Sequence, residues 1–134
     1  MKEDTKCPFC HPHEDSDQNI IFENATCYFL QHNQQQDVLE GCGVIVPKKH
    51  QQDAFALTKE EWNDTYELLQ KAKTYLDERF GADGYTLGWN AGKVSNQFIF
   101  HSHFHIIPRY NDEPLAGKGL RYWLKQPENK RPNR

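Results

Sequence analysis

Three histidines at alternate positions in the last third of the chain are the residues best suited to chemistry. His101, His103 and His105 lie in a stretch of aromatic and β-branched residues, 97 to 109, that contains a proline only near its end. This composition predicts a β-strand. Because side chains alternate between the two faces of a strand, the three imidazoles are expected on one face, about 6.6 Å apart. Neighbouring rings can then bind one ligand or divide two tasks between them.

A row of imidazoles is compatible with three roles. The rings can be solvated or hydrogen-bonded to the backbone. They can ligate a metal ion, because neutral imidazole is the commonest nitrogen ligand. One ring can also act as a nucleophile, since a neutral ring nitrogen attacks phosphorus near pH 7 and forms a phosphoramidate that water or another acceptor can cleave. The flanking histidines would then orient the nucleophile and stabilise charge on the phosphate oxygens.

A second chemical motif, Cys7-Pro8-Phe9-Cys10, lies near the N-terminus. Two thiolates at this spacing can occupy two corners of a tetrahedral zinc site, which then needs two more ligands. Redox chemistry would place the motif at the start of a helix, whereas a polar segment broken by Pro12 follows here. The motif therefore favours a metal, and His11 and His13 are candidate ligands because they are close in sequence.

The spacing of the histidines, with Gln97 four residues before the first and Asn90 seven residues earlier, resembles the histidine triad (HIT) family of nucleotide hydrolases and transferases. Residues 41–50 resemble the central strand of that family and the turn after it. The CxxC motif resembles that of the zinc-binding members. Together these segments cover most of residues 5–110. One departure is Gly41-Cys42, where the family commonly has Gly-His.

The resemblance implies a mechanism in which His103 attacks the α-phosphorus of a purine nucleotide. Water then cleaves the nucleotidyl-histidine and releases a nucleoside monophosphate. By the same resemblance, His105 and Gln97 stabilise charge on the phosphoryl oxygens, and Asn90 positions the substrate. The implied substrates are dinucleoside polyphosphates or nucleoside phosphoramidates.

The resemblance also implies further contacts, a cofactor and a partner. Ile20, Phe22 and Phe29, on an expected hairpin, are candidates for nucleoside contacts, with core packing as the other interpretation. Trp123 is expected to reach the active site of the partner subunit in a homodimer. A structural zinc is implied, and it would tie the N-terminus and the central loop to the histidine strand. The implied zinc ligands are Cys7, Cys10, His50 and His101.

A different class of function stays open at this point. The cysteines and histidines can hold zinc only to shape a surface, which would make the protein a non-enzymatic module that binds nucleotide or protein. The presence of both His103 and Gln97 argues against this alternative, because a purely structural zinc requires neither.

The remaining pattern predicts the elements that must position these residues. Strands are expected at 19–23, 25–31, 41–47 and 85–90. A long helix is expected to begin at the capping box of Thr58 and Glu61 and to end before Gly81. The apolar stripe expected to face the core comprises Trp62, Tyr66, Leu69, Ala72, Leu76 and Phe80. The prediction is an α+β fold, a mainly antiparallel sheet of about five strands with one long helix, similar to that of HIT proteins.

Length and charge limit the remaining possibilities. The chain of 134 residues predicts a single HIT-like domain, 1–125, followed by a disordered basic tail, 126–134. Residues 1–108 carry 9 basic and 16 acidic side chains, which argues against stable nucleic-acid binding. The sequence has neither an apolar run of about 20 residues nor an N-terminal signal-peptide core, so no membrane partner and a cytoplasmic location are expected.

Overall fold

The computed structural model describes residues 6–134 and contains one five-stranded antiparallel sheet. The sheet order is β1-β2-β3-β5-β4, so β1 and β4 form its edges. The strands are β1 Gln18–Glu23, β2 Cys27–His32, β3 Gly43–Pro47, β4 Gly84–Trp89 and β5 Phe104–Arg109. The helices are α1 Lys59–Phe80 and α2 Leu120–Leu124. The predicted α+β class, with five strands and one long helix, is confirmed.

Helix α1 begins and ends where the sequence predicts. The side chain of Thr58 accepts a hydrogen bond from the backbone N–H of Glu61, and the Glu61 carboxylate accepts one from the backbone N–H of Thr58. These two bonds satisfy N–H groups that have no partner within the helix. At the other end Gly81 has φ of 64°, a left-handed conformation that glycine adopts without steric cost.

The buried face of α1 differs from the predicted stripe. The helix buries Thr65, Leu68, Ala72 and Leu76 against the sheet, whereas Trp62 and Tyr66 are 51% and 63% exposed. Trp62 instead stacks on Trp89 at the edge strand, with the ring centroids 4.9 Å apart. A buried face that includes Thr65 and, at the first turn, Glu61 is not recognisable as apolar from the sequence. The prediction that Trp62 and Tyr66 belong to the core is therefore wrong.

The two faces of the sheet carry different layers. Helix α1 packs on one face, which we call the helix face. The N-terminal segment packs on the other face, which we call the cavity face, where Cys7 and Phe9 lie against Leu30 and Val46. The core on the helix face comprises Cys27, Phe29, Ile45, Leu68, Ala72, Leu76, Phe104 and Ile106. Because β-strand side chains alternate, each central strand contributes to both layers.

A β-bulge in β1 separates two residues that simple alternation would put on the same face. Ile20 pairs with Leu30, but the register shifts so that Phe22 pairs with Phe29. Phe22 and Phe29 therefore lie in the core on the helix face, where Phe22 also meets Tyr75 edge-on at 5.5 Å. Ile20 stays on the cavity face. Core packing, the second interpretation of these residues, is what the structure gives for Phe22 and Phe29.

The histidine stretch is a strand only in its second half. Residues 97–103 are irregular, and β5 begins at Phe104, so the prediction of one continuous strand is wrong. Asn96, with φ of 71°, bends the chain. The buried Gln97 side chain then accepts a bond from the Gly92 N–H and donates to the carbonyls of Gln52 and Ile99. These side-chain bonds hold the loop in place of strand pairing. As a result, Gln97 precedes β5, just as Asn90 follows β4, and neither lies within a strand.

The chain after β5 is anchored by Arg109. Its guanidinium donates to the Thr86 hydroxyl and to the carbonyls of Leu115 and Lys118, and it pairs with Glu113. These bonds hold the connection between β5 and α2.

The ends of the chain leave two expectations open. A single 3-10 turn, Pro127–Asn129, lies in the C-terminal segment, and the domain end at 125 and the disordered tail stay predictions. The expectation that the N-terminus has no signal-peptide core concerns mainly residues 1–5. These residues lie outside the described part of the chain. Within 6–134 no helix is both long and apolar enough to cross a membrane.

Replacement of the helix cap tests how α1 is held. The substitution Thr58→Ala removes the bond to the Glu61 N–H and should lower the free energy of unfolding by about 1 kcal/mol, measured by urea denaturation. Thr74→Ala is the matched control, because Thr74 is exposed on the same helix and should change stability by less than about 0.5 kcal/mol. Equal effects of the two substitutions would contradict the capping assignment.

Candidate active site and metal centre

A cavity of about 610 Å³ opens on the cavity face of the sheet. Its lining includes Leu30 of β2 and Val44 of β3, two sheet residues that we call the cavity floor, together with His103, His105 and Asn90. In the sheet, Val44 is the direct partner of both Leu30 and His105. Strand pairing therefore fixes His105 relative to the cavity floor, because the three residues lie side by side on adjacent strands.

One hydrogen bond determines the protonation of His103. Its Nδ1 lies 2.9 Å from the main-chain oxygen of His101. A carbonyl oxygen only accepts, so Nδ1 carries the proton, and the neutral ring keeps its lone pair on Nε2. Burial lowers the pKa of His103 below its ordinary value, which favours the neutral ring. This protonation state is the one that a nucleophilic imidazole requires.

His105 lies beside His103 and is also neutral near pH 7. The two ring centroids are 4.8 Å apart. Burial, followed by the neighbouring His103, lowers the pKa of His105 to about 4. Its Nε2 is buried and has no hydrogen-bond partner among the described residues. A buried polar nitrogen without a partner is unfavourable, so a polar ligand in the cavity would gain a contact there.

The two amides proposed from the sequence lie in different surroundings. Asn90 lines the cavity together with His103 and His105. Gln97 is not among the residues that line the cavity, and both ends of its side-chain amide bond to the surrounding loop backbone. In this structure Gln97 holds the loop before β5, and its proposed contact with phosphate stays a prediction.

Four side chains next to the cavity can hold a metal ion. Cys7, Cys10, His50 and His101 each offer one ligand atom, and these atoms lie within 4.8 Å of one another. The His101 Nδ1 is 3.3 Å from the Cys7 Sγ and 3.2 Å from the His50 Nδ1, and the Cys10 Sγ is 3.2 Å from the His50 Nδ1. A tetrahedral site with bonds of 2.0 to 2.3 Å has ligand–ligand edges of roughly 3.3 to 3.8 Å. The spacing and the two-sulfur, two-nitrogen donor set therefore fit a tetrahedral ion.

A further hydrogen bond orients His101 for this cluster. His101 is fully buried, and its Nε2 lies 2.7 Å from the carbonyl oxygen of Pro47 at the end of β3. Nε2 must therefore be the donor, which leaves the lone pair of Nδ1 directed at the cysteines. Burial lowers the pKa of His101 to about 4, so the ring is neutral, as metal ligation requires.

The two histidines that follow the CxxC motif are not part of the cluster. The His11 Nδ1 lies 3.4 Å from the Glu14 carboxylate, and His13 packs edge-on against Tyr28. Among the described residues, the cluster that can hold a metal uses the distant His50 and His101 instead. Proximity in the sequence therefore does not select the ligands.

Several cavity residues carry no sequence signal of their own. Phe9 is the second of the two residues between the cysteines of the CxxC motif, and Cys42 directly precedes β3. Burial raises the pKa of the Cys42 thiol to about 11, so it is protonated near pH 7 and is a poor nucleophile. Asp15 and His32 also line the cavity and bond to each other at 2.9 Å. No spacing in the sequence relates Asp15 to the end of β2, so only the folded chain could identify this pair.

Two more candidates from the sequence lie outside the cavity. Ile20 packs against the cluster around Leu30 on the cavity face, but it is not among the lining residues. Trp123 is exposed on α2 and meets the Tyr122 ring at 4.8 Å. The expected contacts of Ile20 with substrate and of Trp123 with a partner subunit stay predictions.

Comparison with known proteins agrees with this geometry. A family profile described as the HIT domain matches residues 13–112, most of the chain. The chain belongs to the HIT family. The match contains His101, His103 and His105 together with the loop that carries His50.

Two relatives that this HIT protein resembles are named as enzymes. The chain is 32% identical over 89 residues to an adenosine 5'-monophosphoramidase of Schizosaccharomyces pombe. The aligned residues cover 66% of this chain and 64% of that protein. The chain is also 38% identical over 72 residues to a bis(5'-adenosyl)-triphosphatase of Dictyostelium discoideum. That alignment covers 54% of this chain and 48% of that protein. The matched stretch is therefore less than two thirds of either relative.

A solved structure also resembles this HIT protein. The crystal structure of a Zn-bound histidine triad family protein from Mycobacterium smegmatis has a TM-score of 0.69 and 25% identity to it. The similarity covers 86% of this chain and 83% of that one.

The metal centre can be tested by removing one ligand. Cys10→Ser should lower the affinity for added Zn²⁺ by more than about 100-fold. Changing a residue that only hydrogen-bonds to a metal ligand lowers metal affinity by about 10- to 100-fold, and loss of a ligand itself should lower it further. Competition with a chromophoric chelator measures the affinity. Cys27→Ser is the matched control, since Cys27 is buried on the helix face, away from the cluster. Equal Zn²⁺ affinity in the two variants would argue against this ligand set.

Proposed function

We propose that this HIT protein is a nucleotide hydrolase or transferase that cleaves at the α-phosphate through a covalent intermediate on His103. The observation that carries the proposal is the Nδ1–H bond from His103 to the His101 carbonyl, which leaves the lone pair on Nε2 beside a cavity. The proposed substrates are nucleoside phosphoramidates or dinucleoside polyphosphates of a purine. The names of the two enzyme relatives support both classes.

The proposed reaction has two displacements at phosphorus. In the first, the Nε2 lone pair of His103 forms a bond to the α-phosphorus, and the P–N or P–O bond to the leaving group breaks. The leaving group departs with that electron pair and takes a proton from water when it is an amine. In the second, a water oxygen bonds to phosphorus and the water gives up a proton to solvent, which replaces the proton taken up by a leaving amine. The bond to Nε2 breaks with its electron pair returning to the ring, and His103 is neutral again as the monophosphate is released.

The neighbouring groups are proposed to stabilise the charge that develops on the phosphoryl oxygens. The partnerless Nε2 of His105 lies beside His103, and Asn90 lines the same cavity. Gln97 is proposed to take part as well, by giving up one of its hydrogen bonds to a backbone carbonyl and donating to a phosphate oxygen instead. By analogy with oxyanion-hole donors, loss of one such group costs about 2.7 to 4 kcal/mol in transition-state stabilisation.

The ion in the metal centre is zinc in this proposal, and its role is structural. The donor set of two cysteines and two histidines favours zinc, and a Zn-bound relative shares the fold. Four protein ligands leave no open position for substrate, so the bound ion would cross-link the N-terminal segment, the loop after β3 and the segment before β5. Thiolate ligands persist in a reducing compartment, which supports the expected cytoplasmic location.

A homodimer is part of the proposal. Exposed apolar side chains, which together we call the apolar strip, lie on the edge strand β4, where Leu87 is 39% exposed, and on the first turns of α1, which carry Trp62 and Tyr66. An edge strand with unpaired backbone groups and apolar neighbours is a suitable surface for a second copy of the chain. The acidic balance of residues 1–108 remains the argument against stable nucleic-acid binding.

Replacement of the nucleophile tests the catalytic proposal. Wild-type protein incubated with adenosine 5'-phosphoramidate should release AMP, and His103→Ala should reduce kcat by at least about 10⁴-fold, the scale of loss seen for other covalent nucleophiles. Rapid quenching followed by mass spectrometry should detect a nucleotidyl adduct only when His103 is present.

The matched control is His13→Ala, because His13 packs on Tyr28 outside both the cavity and the metal cluster. That variant should keep the wild-type rate. Turnover that survives His103→Ala would disprove the covalent mechanism. A wild-type protein that binds nucleotide but forms neither adduct nor product with either substrate class would favour the non-enzymatic binding module.

A charge in the apolar strip tests the dimer. Leu87→Lys should raise the dimer dissociation constant by roughly 30-fold, because disruption of a central interface contact costs about 2 kcal/mol or more. Sedimentation equilibrium measures the change. Val38→Lys places the same charge at an exposed loop position and should have no effect. A wild-type protein that is monomeric at high concentration would refute the dimer directly.

A further inference from the structure

Phe9, the second of the two residues between the cysteines of the CxxC motif, lies between the metal cluster and His103. Its ring centroid is 5.8 Å from that of His101, which it meets edge-on, and 5.1 Å from that of His103. Both distances are in the range of favourable aromatic pairs. Although Phe9 lines the cavity, it is only 6% exposed, so most of its surface contacts protein.

The metal ligands determine where this ring lies. The thiols of Cys7 and Cys10 both face the cluster, and the His11 N–H donates to the Cys7 carbonyl at 3.2 Å, which closes a turn. The Phe9 side chain packs into the core of the cavity face, beside Leu30 and Val46. The backbone that carries the Phe9 ring is therefore held at both ends by metal ligands.

The His103 ring needs such support. One hydrogen bond, from Nδ1 to the His101 carbonyl, fixes its protonation state, while its Nε2 must keep the lone pair aimed at a phosphorus atom. A single hydrogen bond leaves an imidazole free to tilt about that bond. His105 contacts the ring at 4.8 Å, and Phe9 contacts it from the N-terminal segment.

We propose that Phe9 is a positioning residue that holds the His103 ring in its nucleophilic orientation and thereby couples the metal centre to the nucleophile. The proposal rests on the proposed function, because it concerns the geometry of the same attack. It assigns the CxxC motif a second role, since the cysteines bind the ion while the intervening ring supports His103. A small displacement of a reacting atom is costly, and 1 Å can reduce a rate by about 10²-fold.

The test compares Phe9→Leu with wild type, both as full-length protein loaded with Zn²⁺. Leucine keeps the apolar contact with the core but removes the aromatic face from His103. With adenosine 5'-phosphoramidate, kcat should fall by about 10- to 100-fold, and by more than KM changes, because loss of reactive orientation acts on the chemical step more than on substrate binding. The conservative variant Phe9→Tyr keeps the ring and should retain most of kcat.

Two controls separate positioning from general loss of packing. Leu76→Ala truncates a fully buried side chain on the helix face, so it should lower stability without changing kcat. The Zn²⁺ affinity of Phe9→Leu, measured by chelator competition, should equal that of wild type, because the four ligands are intact.

A second readout does not depend on turnover. In ¹⁵N-labelled protein, the ring nitrogens of His103 should report the Nδ1–H tautomer in wild type and a mixture of tautomers in Phe9→Leu. If wild type shows the single tautomer but no turnover, the proposed function fails while the positioning role is still measured. Unchanged kcat with an unchanged tautomer would overturn the inference. So would a rise in KM alone, which would make Phe9 a substrate contact, or a loss of Zn²⁺, which would make it part of the metal site.

Discussion

The site depends on the three polar contacts of a single buried residue, His101. Its Nε2 donates to the Pro47 carbonyl, its Nδ1 faces the cysteine thiols, and its main-chain oxygen accepts from the Nδ1 of His103. The first contact selects the nitrogen that can bind a metal, and the last selects the nitrogen of His103 that can attack phosphorus. Because one residue makes all three contacts, the candidate metal site and the proposed nucleophile cannot be arranged independently.

The side chains of the core under α1 and those of the candidate site lie on opposite faces of the sheet. Alternation along β5 sends Phe104 and Ile106 into the core under α1, while His105 points into the cavity. Within residues 6–134 no long helix covers the cavity face. The N-terminal segment covers part of it instead, and the cysteine–histidine cluster is what attaches that segment to the sheet. A metal cross-link suits a short segment that buries little apolar surface of its own.

Departures from regular structure also shape the site. The bulge in β1 keeps Ile20 on the cavity face and turns Phe22 toward the helix. The irregular segment before β5 lets His101 face Cys7, Cys10 and His50 while His103 faces the cavity. A continuous strand would have placed both imidazoles on one face of the sheet, about 6.6 Å apart. The Gln97 side chain holds this irregular segment through its bonds to loop backbone.

The sequence by itself determined the fold class, the capping box and end of α1, and which histidines and cysteines are candidates for the site, because these features depend on local spacing and residue type. The tertiary structure alone decided which face of α1 is buried, where β5 begins, and that Phe9 and the Asp15–His32 pair line the cavity. Those outcomes depend on packing between segments distant in the chain and on side-chain bonds that replace strand pairing. Neither this packing nor these side-chain bonds produce a periodic pattern in the sequence.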